Sequence, residues 1–297
     1  MLAGVETVVA VLGRGVVPAT EPVLRGDDLG ALRGDGVFET MHVGAGRPFL
    51  LTEHLDRLAA SAAIMSIGLP AAADLAGLVE QACAAWPPEV EGGLRLVATR
   101  GVGPEGPPTV YAVIAPVPAS SMGARATGIS VLTAPLGVTA AGRTGIPWLL
   151  AGAKTLSYAV NMACVRWAAA QGADDALWVS TDGFALEGPT STLLWLAGAT
   201  LCTVPAAGTG ILPGITAAHV MRQCGLRTEE RMVRPGDLES ADGVWFASTL
   251  RGIAAVTSLD GRPVPQSPRT MAFQALLGAS AAIALNVSSV DEPGSAQ

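Results

Sequence analysis

The sequence is poor in charged and aromatic side chains, and it contains almost no lysine. Of its 297 residues, 14% are charged and 4% are aromatic, whereas half are hydrophobic, so small aliphatic side chains fill the interior. The net charge of −7 argues against a surface for nucleic acid or for anionic membranes. Thirty-six glycines and 21 prolines are more than a helical bundle needs, which favours a mixed α/β fold.

Cysteines are also few, and their spacing excludes a disulfide scaffold. Cys83, Cys164, Cys202 and Cys224 form no CxxC pair and no cluster with histidine, so free thiols in a reducing compartment and no metal site are predicted. The first residues lack the basic segment of a secretory signal. Residues 188–218 carry no acidic or basic side chain but are broken by prolines, which argues against a membrane span. A soluble cytoplasmic protein without nucleic-acid or membrane partners is expected.

One lysine, Lys154, stands among 17 arginines. Arginine stays protonated and cannot form an imine, whereas lysine can do so once burial or a neighbouring charge lowers its pKa. The residues around Lys154 are uncharged and mostly apolar, which is a poor place for a cation without a function. The alternative is that Lys154 has no function and remains at this position by chance, but its uncharged surroundings favour a chemical role.

Hydrophobic periodicity and turn residues divide the sequence into two parts. Residues 1–117 are predicted to form an N-terminal α/β domain, with strands at 5–12, 37–43, 94–99 and 110–115 and helices at 53–67 and 74–85. Residues 118–127 are rich in small and turn-forming residues and are predicted to be an interdomain linker. Residues 128–287 are predicted to form a C-terminal domain, with strands at 129–133, 176–180, 184–186, 193–196, 201–204, 228–233 and 244–247 and helices at 156–170, 214–225 and 269–284. Residues 288–297 are predicted to be a disordered tail.

Imine chemistry at a lysine most often involves pyridoxal phosphate, and the sequence offers candidates for each contact that this cofactor needs. The loop 210–216 leads into a predicted helix, whose free N–H groups favour a phosphate. Glu187 is the one carboxylate between Asp182 and Glu229, and a protonated pyridine nitrogen would suit it there. A surface position at the end of a hairpin is the alternative for Glu187. The hydroxyls of residues 248 and 249 follow an apolar strand.

Six segments of the sequence carry a shared pattern: Arg33–Thr40, Glu53–Leu58, Ala153–Tyr158, Glu187–Ser191, Ile211–Thr216 and Ser248–Thr249. Taken together they resemble the fold-type IV pyridoxal-phosphate enzymes, which include branched-chain and D-amino-acid aminotransferases and 4-amino-4-deoxychorismate lyase. Each is weak alone, but six in the same order make a specific signal. The resemblance implies a smaller N-terminal α/β domain, a larger C-terminal domain with a barrel-like sheet, a cofactor site between them and a homodimer.

The resemblance also implies a role for each matching residue. Lys154 would carry the cofactor as an imine and later move the substrate proton, Glu187 would face the pyridine nitrogen, and Tyr158 would contact the ring hydroxyl. A role in the core remains the alternative for Tyr158. The implied phosphate contacts are Arg57, Ile215, Thr216, Ser248 and Thr249.

The substrate side departs from the family pattern. Phe38 stands where D-amino-acid aminotransferases have tyrosine, and His42 replaces a frequent arginine. The segment Arg100–Gly106 lacks their Arg-x-His carboxylate trap and instead places Glu105 there, which would repel a substrate carboxylate. Its Arg-Gly-x-Gly run resembles the lyases. Phe38, His42 and Arg100 are the candidate substrate contacts.

Glu39 favours the other reaction, because it is a residue common in the transaminases and some lyases have threonine there. Pro189 replaces the usual serine after Glu-Gly, and together with the change at His42 this leaves the substrate pocket open. We expect a 4-amino-4-deoxychorismate lyase of folate biosynthesis, which forms 4-aminobenzoate and pyruvate. An aminotransferase for D-amino or branched-chain amino acids is the main alternative, and a pyridoxal-phosphate binder without turnover is the third.

Overall fold

The computed structural model describes residues 5–103 and 106–278, and its strands form two sheets. The elements of the first half are β1 (Val8–Val11), β2 (Gly15–Val17), α1 (Leu29–Arg33), β3 (Gly36–Gly44), β4 (Arg47–Pro48), α2 (Leu51–Ile64), α3 (Ala72–Ala84), β5 (Gly92–Thr99) and β6 (Thr109–Pro116). Their six strands are antiparallel and lie in the order β2-β1-β6-β5-β3-β4.

Helices α2 and α3 cover one face of this sheet. Leu58 of α2 and Leu78 of α3 are buried in the same core as Leu94 and Leu96 of β5. Because side chains alternate along a strand, Arg95 projects from the opposite face of β5 and is exposed there. The first sheet therefore offers one apolar face to its helices and a second face to the rest of the molecule.

The second sheet follows a helix and curls into half a barrel. The elements are α4 (Ala119–Thr127), β7 (Ile129–Pro135), α5 (Ala159–Ala170), β8 (Asp175–Val179), β9 (Thr192–Ala197), β10 (Thr200–Thr203), α6 (Ile215–Gln223), β11 (Arg227–Glu230), α7 (Pro235–Leu238), β12 (Val244–Ser248), β13 (Gly252–Leu259), β14 (Arg262–Pro263) and α8 (Thr270–Ala275). The strand order is β11-β10-β9-β12-β13-β7-β8, with β14 beside β13. Large buried side chains such as Trp195 and Phe246 fill its core. The predicted mixed α/β fold with a barrel-like sheet is confirmed.

Two predicted segments differ in the structure. Residues 118–127, predicted to be an irregular interdomain linker, are mostly helical: α4 starts after Pro118 and packs against β13. Proline is compatible with the start of a helix. The helix predicted from residue 156 begins at Ala159 instead. Thr155 pairs with Val37 of β3 and Leu156 N donates to Gly36 O at 2.8 Å, so this segment is extended.

The remaining differences lie at element ends. Residues 184–186 form no strand, and Ala185 makes only isolated bridges to Val179 and Val233. The last helix is short, at Thr270–Ala275, and residues 276–278 form a turn where the helix was predicted to continue. The rest of that prediction, to 284, and the predicted tail 288–297 lie outside the described residues. Among the described residues, no helix has the length and apolar character to cross a membrane.

Candidate functional site

Lys154 lies where the two sheets meet. Phe38 N on β3 donates to Lys154 O at 3.1 Å, and Lys154 N donates to Ser61 Oγ on α2 at 3.0 Å. The side chain is held between aromatic rings, with Nζ 4.2 Å from the ring centre of Phe38 and 5.3 Å from that of Tyr158. The backbone contacts fix the lysine, and its amine points into a cavity.

That cavity has a volume of about 890 Å³ and is lined by residues of both halves. This is the size of a pocket for a cofactor together with a substrate. Its wall contains nearly all the site residues predicted from the sequence. They are Phe38, Arg57, Lys154, Tyr158, Glu187, Ile215, Thr216, Ser248 and Thr249.

Burial changes the acid–base behaviour of Lys154. Removal from water is the largest cause that lowers the pKa of its amine. The carboxylate of Glu39 opposes this effect and the nearby Arg57 adds to it, and the resulting pKa is about 8. A larger share of the amine is therefore uncharged near neutral pH than in an exposed lysine. An uncharged amine is the form that attacks a carbonyl carbon or accepts a proton.

Glu187 lies in the wall beside β8, since Trp178 N donates to its backbone oxygen at 2.9 Å. Burial raises the pKa of its carboxyl to about 7, while Arg143 and the backbone N–H of Leu212 favour the charged form. Leu212 N donates to the two carboxylate oxygens at 3.4 and 3.2 Å, and Arg143 Nη2 is 4.0 Å from Oε1. The carboxylate still has room for a further donor.

Polar atoms around Glu187 lack partners within the described part of the chain. Nε and Nη2 of Arg143 and Oγ of Ser191 are buried without a hydrogen bond there, and both residues line the cavity. Buried donors without partners are costly. These atoms therefore suit a polar ligand, and the carboxylate of Glu187 suits a protonated ring nitrogen.

An anion cradle lies at the start of α6. Gly214 precedes the helix, and Ile215 and Thr216 supply its first N–H groups, which favour a phosphate. A side chain at Gly214 would overlap Thr192, so the loop needs glycine here. Thr249, directly after β12, also lines the cavity.

Arg57 reaches the cavity from α2 while holding a buried carboxylate. Its Nε and Nη2 donate to Glu39 at 2.7 and 2.8 Å, and its Nη1 donates to Pro213 O at 2.9 Å. His54 bonds the same carboxylate at 2.7 Å. The bond to Pro213 ties α2 to the loop of the anion cradle.

Tyr158 stands at the end of α5 nearest Lys154. Its hydroxyl donates to Pro189 O at 3.3 Å, and its ring meets that of Phe38 edge to face at 5.3 Å. Burial, with a smaller effect of Glu187, raises the pKa of the phenol to about 12, so the hydroxyl stays protonated and able to donate.

The structure does not bring His42 and Arg100 to the cavity wall. His42 lies on the same face of β3 as Phe38 but four residues further along, about 13 Å at 3.3 Å per residue. There its Nε2 is 3.0 Å from a carboxylate oxygen of Glu91. Arg100 is held by Asp35 and by the carbonyls of Met65 and Ser66. Glu105 lies outside the described residues.

The sequence reasoning missed three arginines of the wall: Arg95, Arg143 and Arg251. Alternation along β5, where Arg95 stands between buried leucines, was a signal for the first. Arg251 is two residues after Thr249, which was a weaker signal. Arg143 is in an irregular segment, and no local pattern indicates it. Together they make the wall cationic, which suits anionic ligands.

Comparison with known proteins agrees with this arrangement. The model of the family "Amino-transferase class IV" matches residues 36–259. The bifunctional aminodeoxychorismate lyase / D-amino acid transaminase of Mycobacterium tuberculosis is 42% identical over 270 residues, 87% of this chain and 93% of that protein. D-alanine aminotransferase of Bacillus licheniformis is 30% identical over 249 residues, 80% of this chain and 83% of that protein.

A solved structure gives the same result for the fold. A hypothetical aminotransferase from Mycobacterium tuberculosis, in its PLP-bound form, has a TM-score of 0.88 and 41% identity, covering 94% of this chain and 100% of that one. The fold and the buried lysine define a pyridoxal-phosphate-dependent enzyme of fold type IV. The chain belongs to the class IV aminotransferase family. The family, the cofactor and the enzymatic nature predicted from the sequence are confirmed.

Proposed function

We propose that this enzyme is a 4-amino-4-deoxychorismate lyase, which releases 4-aminobenzoate and pyruvate in folate biosynthesis. The observation that carries the proposal is the buried amine of Lys154 in a cavity shared by both sheets, opposite the carboxylate of Glu187. The 42% identity to a protein named for this lyase activity supports the choice of substrate.

The residues of the cavity have distinct tasks in this proposal. Lys154 Nζ would hold the cofactor through its aldehyde carbon, and Glu187 would keep the ring nitrogen protonated. Tyr158 would contact the ring hydroxyl by turning its O–H from Pro189 O toward the cofactor. The residues of the cradle at the start of α6 and the side chains around it would hold the phosphate. These phosphate contacts are Arg57, Ile215, Thr216, Ser248 and Thr249. When bound, pyridoxal phosphate supplies an electron sink for the carbanion that forms when a C–H bond breaks.

Lys154 also moves the proton. With the substrate amine bound at the cofactor, the uncharged Nζ of Lys154 would accept the proton from the ring carbon that carries the amine. The bond between the ring and the enolpyruvyl oxygen would break, the ring would become aromatic, and the released enolpyruvate would take up a proton to give pyruvate. A pKa near 8 suits this role, because the amine is then a base close to neutral pH and still strong enough to hold the proton.

A second activity, transamination of D-amino acids, uses the same residues. The name of the Mycobacterium tuberculosis protein and the 30% identity to a D-alanine aminotransferase support it. Phe38 packs beside Lys154 Nζ and is the substrate contact that we retain, since it lines the cavity. His42 and Arg100 keep only indirect roles in this proposal.

A product assay separates the alternatives. With purified enzyme loaded with pyridoxal phosphate, aminodeoxychorismate alone should give equal amounts of 4-aminobenzoate and pyruvate. Conversion only when an amino donor and a keto acid are both supplied would establish the aminotransferase and exclude the lyase. No change in product or in visible absorbance with aminodeoxychorismate or with any D- or L-amino acid would leave a non-catalytic binder.

We also propose that the enzyme works as a cytoplasmic homodimer without nucleic-acid partners. Large apolar side chains are exposed to water at and near the mouth of the cavity. They are Trp148, Leu149, Val160 and Met162. A second copy of the chain that covers this patch would also narrow the open cavity.

A further inference from the structure

The turn between β12 and β13 is a rigid part of the cavity wall. Thr249, Leu250 and Arg251 connect Ser248 to Gly252, which pair directly in the sheet. From behind, Arg125 of α4 donates to Leu250 O through Nη2 at 2.6 Å and Nε at 3.1 Å. Arg125 is itself paired with Glu91, 2.8 Å away, so the turn is held in one position.

Arg251 is oriented by a buried carboxylate. Its Nη1 is 2.5 Å from Oδ2 of Asp175 on β8, and the side chain of Asp175 is fully buried. The other carboxylate oxygen accepts a hydrogen bond from Ala176 N at 2.8 Å. A buried carboxylate fixed in this way holds the guanidinium in a single orientation.

The rest of the guanidinium is available to a ligand. Within the described residues, Nε and Nη2 of Arg251 make no hydrogen bond, and 19% of the side chain remains exposed, at the cavity wall. Arginine presents its donors as a planar fork that matches a carboxylate. Asp175 therefore holds one edge of the guanidinium, and the other edge can bind a carboxylate of a ligand.

The position in the cavity indicates which part of the ligand is involved. Arg251 follows Thr249, a phosphate contact in the proposed function, by two residues on the same turn. Arg251 and Tyr158 both line this cavity, and Asp175 is on the same strand, β8, as the wall residue Trp178, so the ion pair lies on the β8 side of the cavity. Glu187 and the anion cradle are assigned to the cofactor in the proposed function, whereas Arg251 has no such role.

We propose that Arg251 binds a carboxylate of the substrate, and that Asp175 is a positioning residue that aims it. The substrates are then amino or keto acids, and an amine without a carboxylate loses this contact. The assignment to substrate rests on the proposed function, because it requires that the cavity hold the substrate beside the cofactor.

Equilibrium binding tests the contact without turnover. Holoenzyme is titrated with succinate and with uncharged succinamide, and visible absorbance and tryptophan fluorescence are followed. Arg251→Met should weaken succinate about tenfold to a hundredfold and leave succinamide unchanged, since a charge-assisted pair is lost. Arg251→Lys should recover part of the affinity. The control is Arg227→Met, on exposed β11, which should bind like the wild type.

The role of Asp175 is tested in the same titration. Asp175→Asn should weaken succinate less than Arg251→Met does, and adding it to Arg251→Met should cause no further loss, because Asp175 acts through Arg251. A further loss in the double variant would overturn the positioning role. Thermal midpoints of all variants show that they are folded.

Kinetics separate this proposal from the proposed function. The rate at which each donor changes the visible absorbance is compared for D-alanine and isopropylamine, which differ by a carboxylate. Arg251→Met should raise the KM for D-alanine at least tenfold, with a smaller change in kcat, and should affect isopropylamine less than twofold. Equal losses for both donors, or unchanged succinate binding, would overturn the role of Arg251. Absence of turnover with both donors in the wild type would instead refute the proposed aminotransferase activity. The lyase would still be judged by the product assay with aminodeoxychorismate, and the contact of Arg251 by the binding of succinate.

Discussion

At the scale of single residues, the environment of Lys154 decides what the enzyme can do. One amine, buried between Phe38 and Tyr158, is held by backbone contacts to β3 and α2. The chain has no other lysine that could replace it. Burial makes the amine reactive near neutral pH, and the arginines that line the cavity favour the binding of anionic ligands.

The pH dependence of cofactor capture follows from this burial. With a pKa of about 8, the uncharged fraction of Lys154 should rise about tenfold from pH 7 to 9 and then level off. With an ordinary lysine pKa it would rise about a hundredfold over the same range and continue upward. Stopped-flow absorbance of apoenzyme mixed with pyridoxal phosphate measures the rate, with Lys154→Arg as the blank. A rate still climbing at pH 10 would contradict the lowered pKa.

Glu39 gives a second pH dependence, in stability. Burial raises the pKa of this carboxyl, but hydrogen bonds from Arg57 and His54 outweigh burial and lower it to about 2. The stabilisation is therefore complete above pH 4.5 and is lost as the pH falls toward 2. Glu39→Gln should cost about 3 kcal/mol at pH 7, as for a broken buried pair.

Thermal midpoints between pH 7 and 3 check the sign. The difference between wild type and Glu39→Gln should shrink as the pH falls, whereas Glu80→Gln, on the exposed face of α3, should show almost no difference at any pH. A difference that stays constant from pH 7 to 3 would show that the charge of Glu39 does not contribute.

At the scale of elements, the site is built where strand and helix ends meet. The turn after β12, the start of α6 and the extended segment before α5 all reach one cavity. Helix α4 supports the turn through Arg125, and β3 carries Phe38 to the lysine. His42, on the same strand as Phe38, contributes indirectly to holding the turn after β12, because it bonds the Glu91 carboxylate that also holds Arg125.

The loop before α6 should not tolerate a side chain at Gly214. Gly214→Ala places a Cβ against Thr192, so the N–H groups that face the phosphate must shift, and pyridoxal phosphate affinity should fall at least tenfold. Fluorescence titration of apoenzyme with the cofactor measures this.

Two further variants serve as controls for that titration. Gly77→Ala, in α3 with open space around it, should leave affinity unchanged. Thr192→Ala in the Gly214→Ala background should restore part of the loss, because it removes the nearest atom. Wild-type affinity in Gly214→Ala would show that the loop does not hold the phosphate.

Sequence patterns predicted some of these elements and not others. Buried strands such as β3 and β5 and the amphipathic helix α2 follow from periodicity, and Lys154 and Glu187 were found because each is isolated in its sequence context. The late start of α5 was not predictable, because Thr155 and Leu156 pair with a strand more than a hundred residues away. The pairings of His42 with Glu91 and of Arg100 with Asp35 join residues 49 and 65 positions apart, so no local pattern indicates them either.

At the scale of the whole molecule, the cavity lies between two sheets and has an apolar patch at its mouth. Trp148 is 79% exposed. An exposed apolar patch of this kind is typical of a surface that a partner covers. The family model covers residues from both sheets, so both are part of one catalytic unit.

Light scattering tests the dimer. The wild type should have twice the chain mass of 29.9 kDa, and Trp148→Asp should shift the population toward monomer and weaken cofactor binding. Met271→Asp, a control with nearly equal exposure on α8, should remain dimeric. A monomeric wild type with full cofactor occupancy at micromolar concentration would contradict the proposed assembly.

The most direct test of the whole account is to reduce the holoenzyme with borohydride and map the modified peptide by mass spectrometry. The purified protein should be yellow, lose its visible absorbance on reduction, and carry one phosphopyridoxyl group on the peptide that contains Lys154. Lys154→Arg should carry none. A colourless protein that gains no label, or a label found at the N-terminal amine with Lys154 unmodified, would contradict the assignment of this lysine and the function built on it.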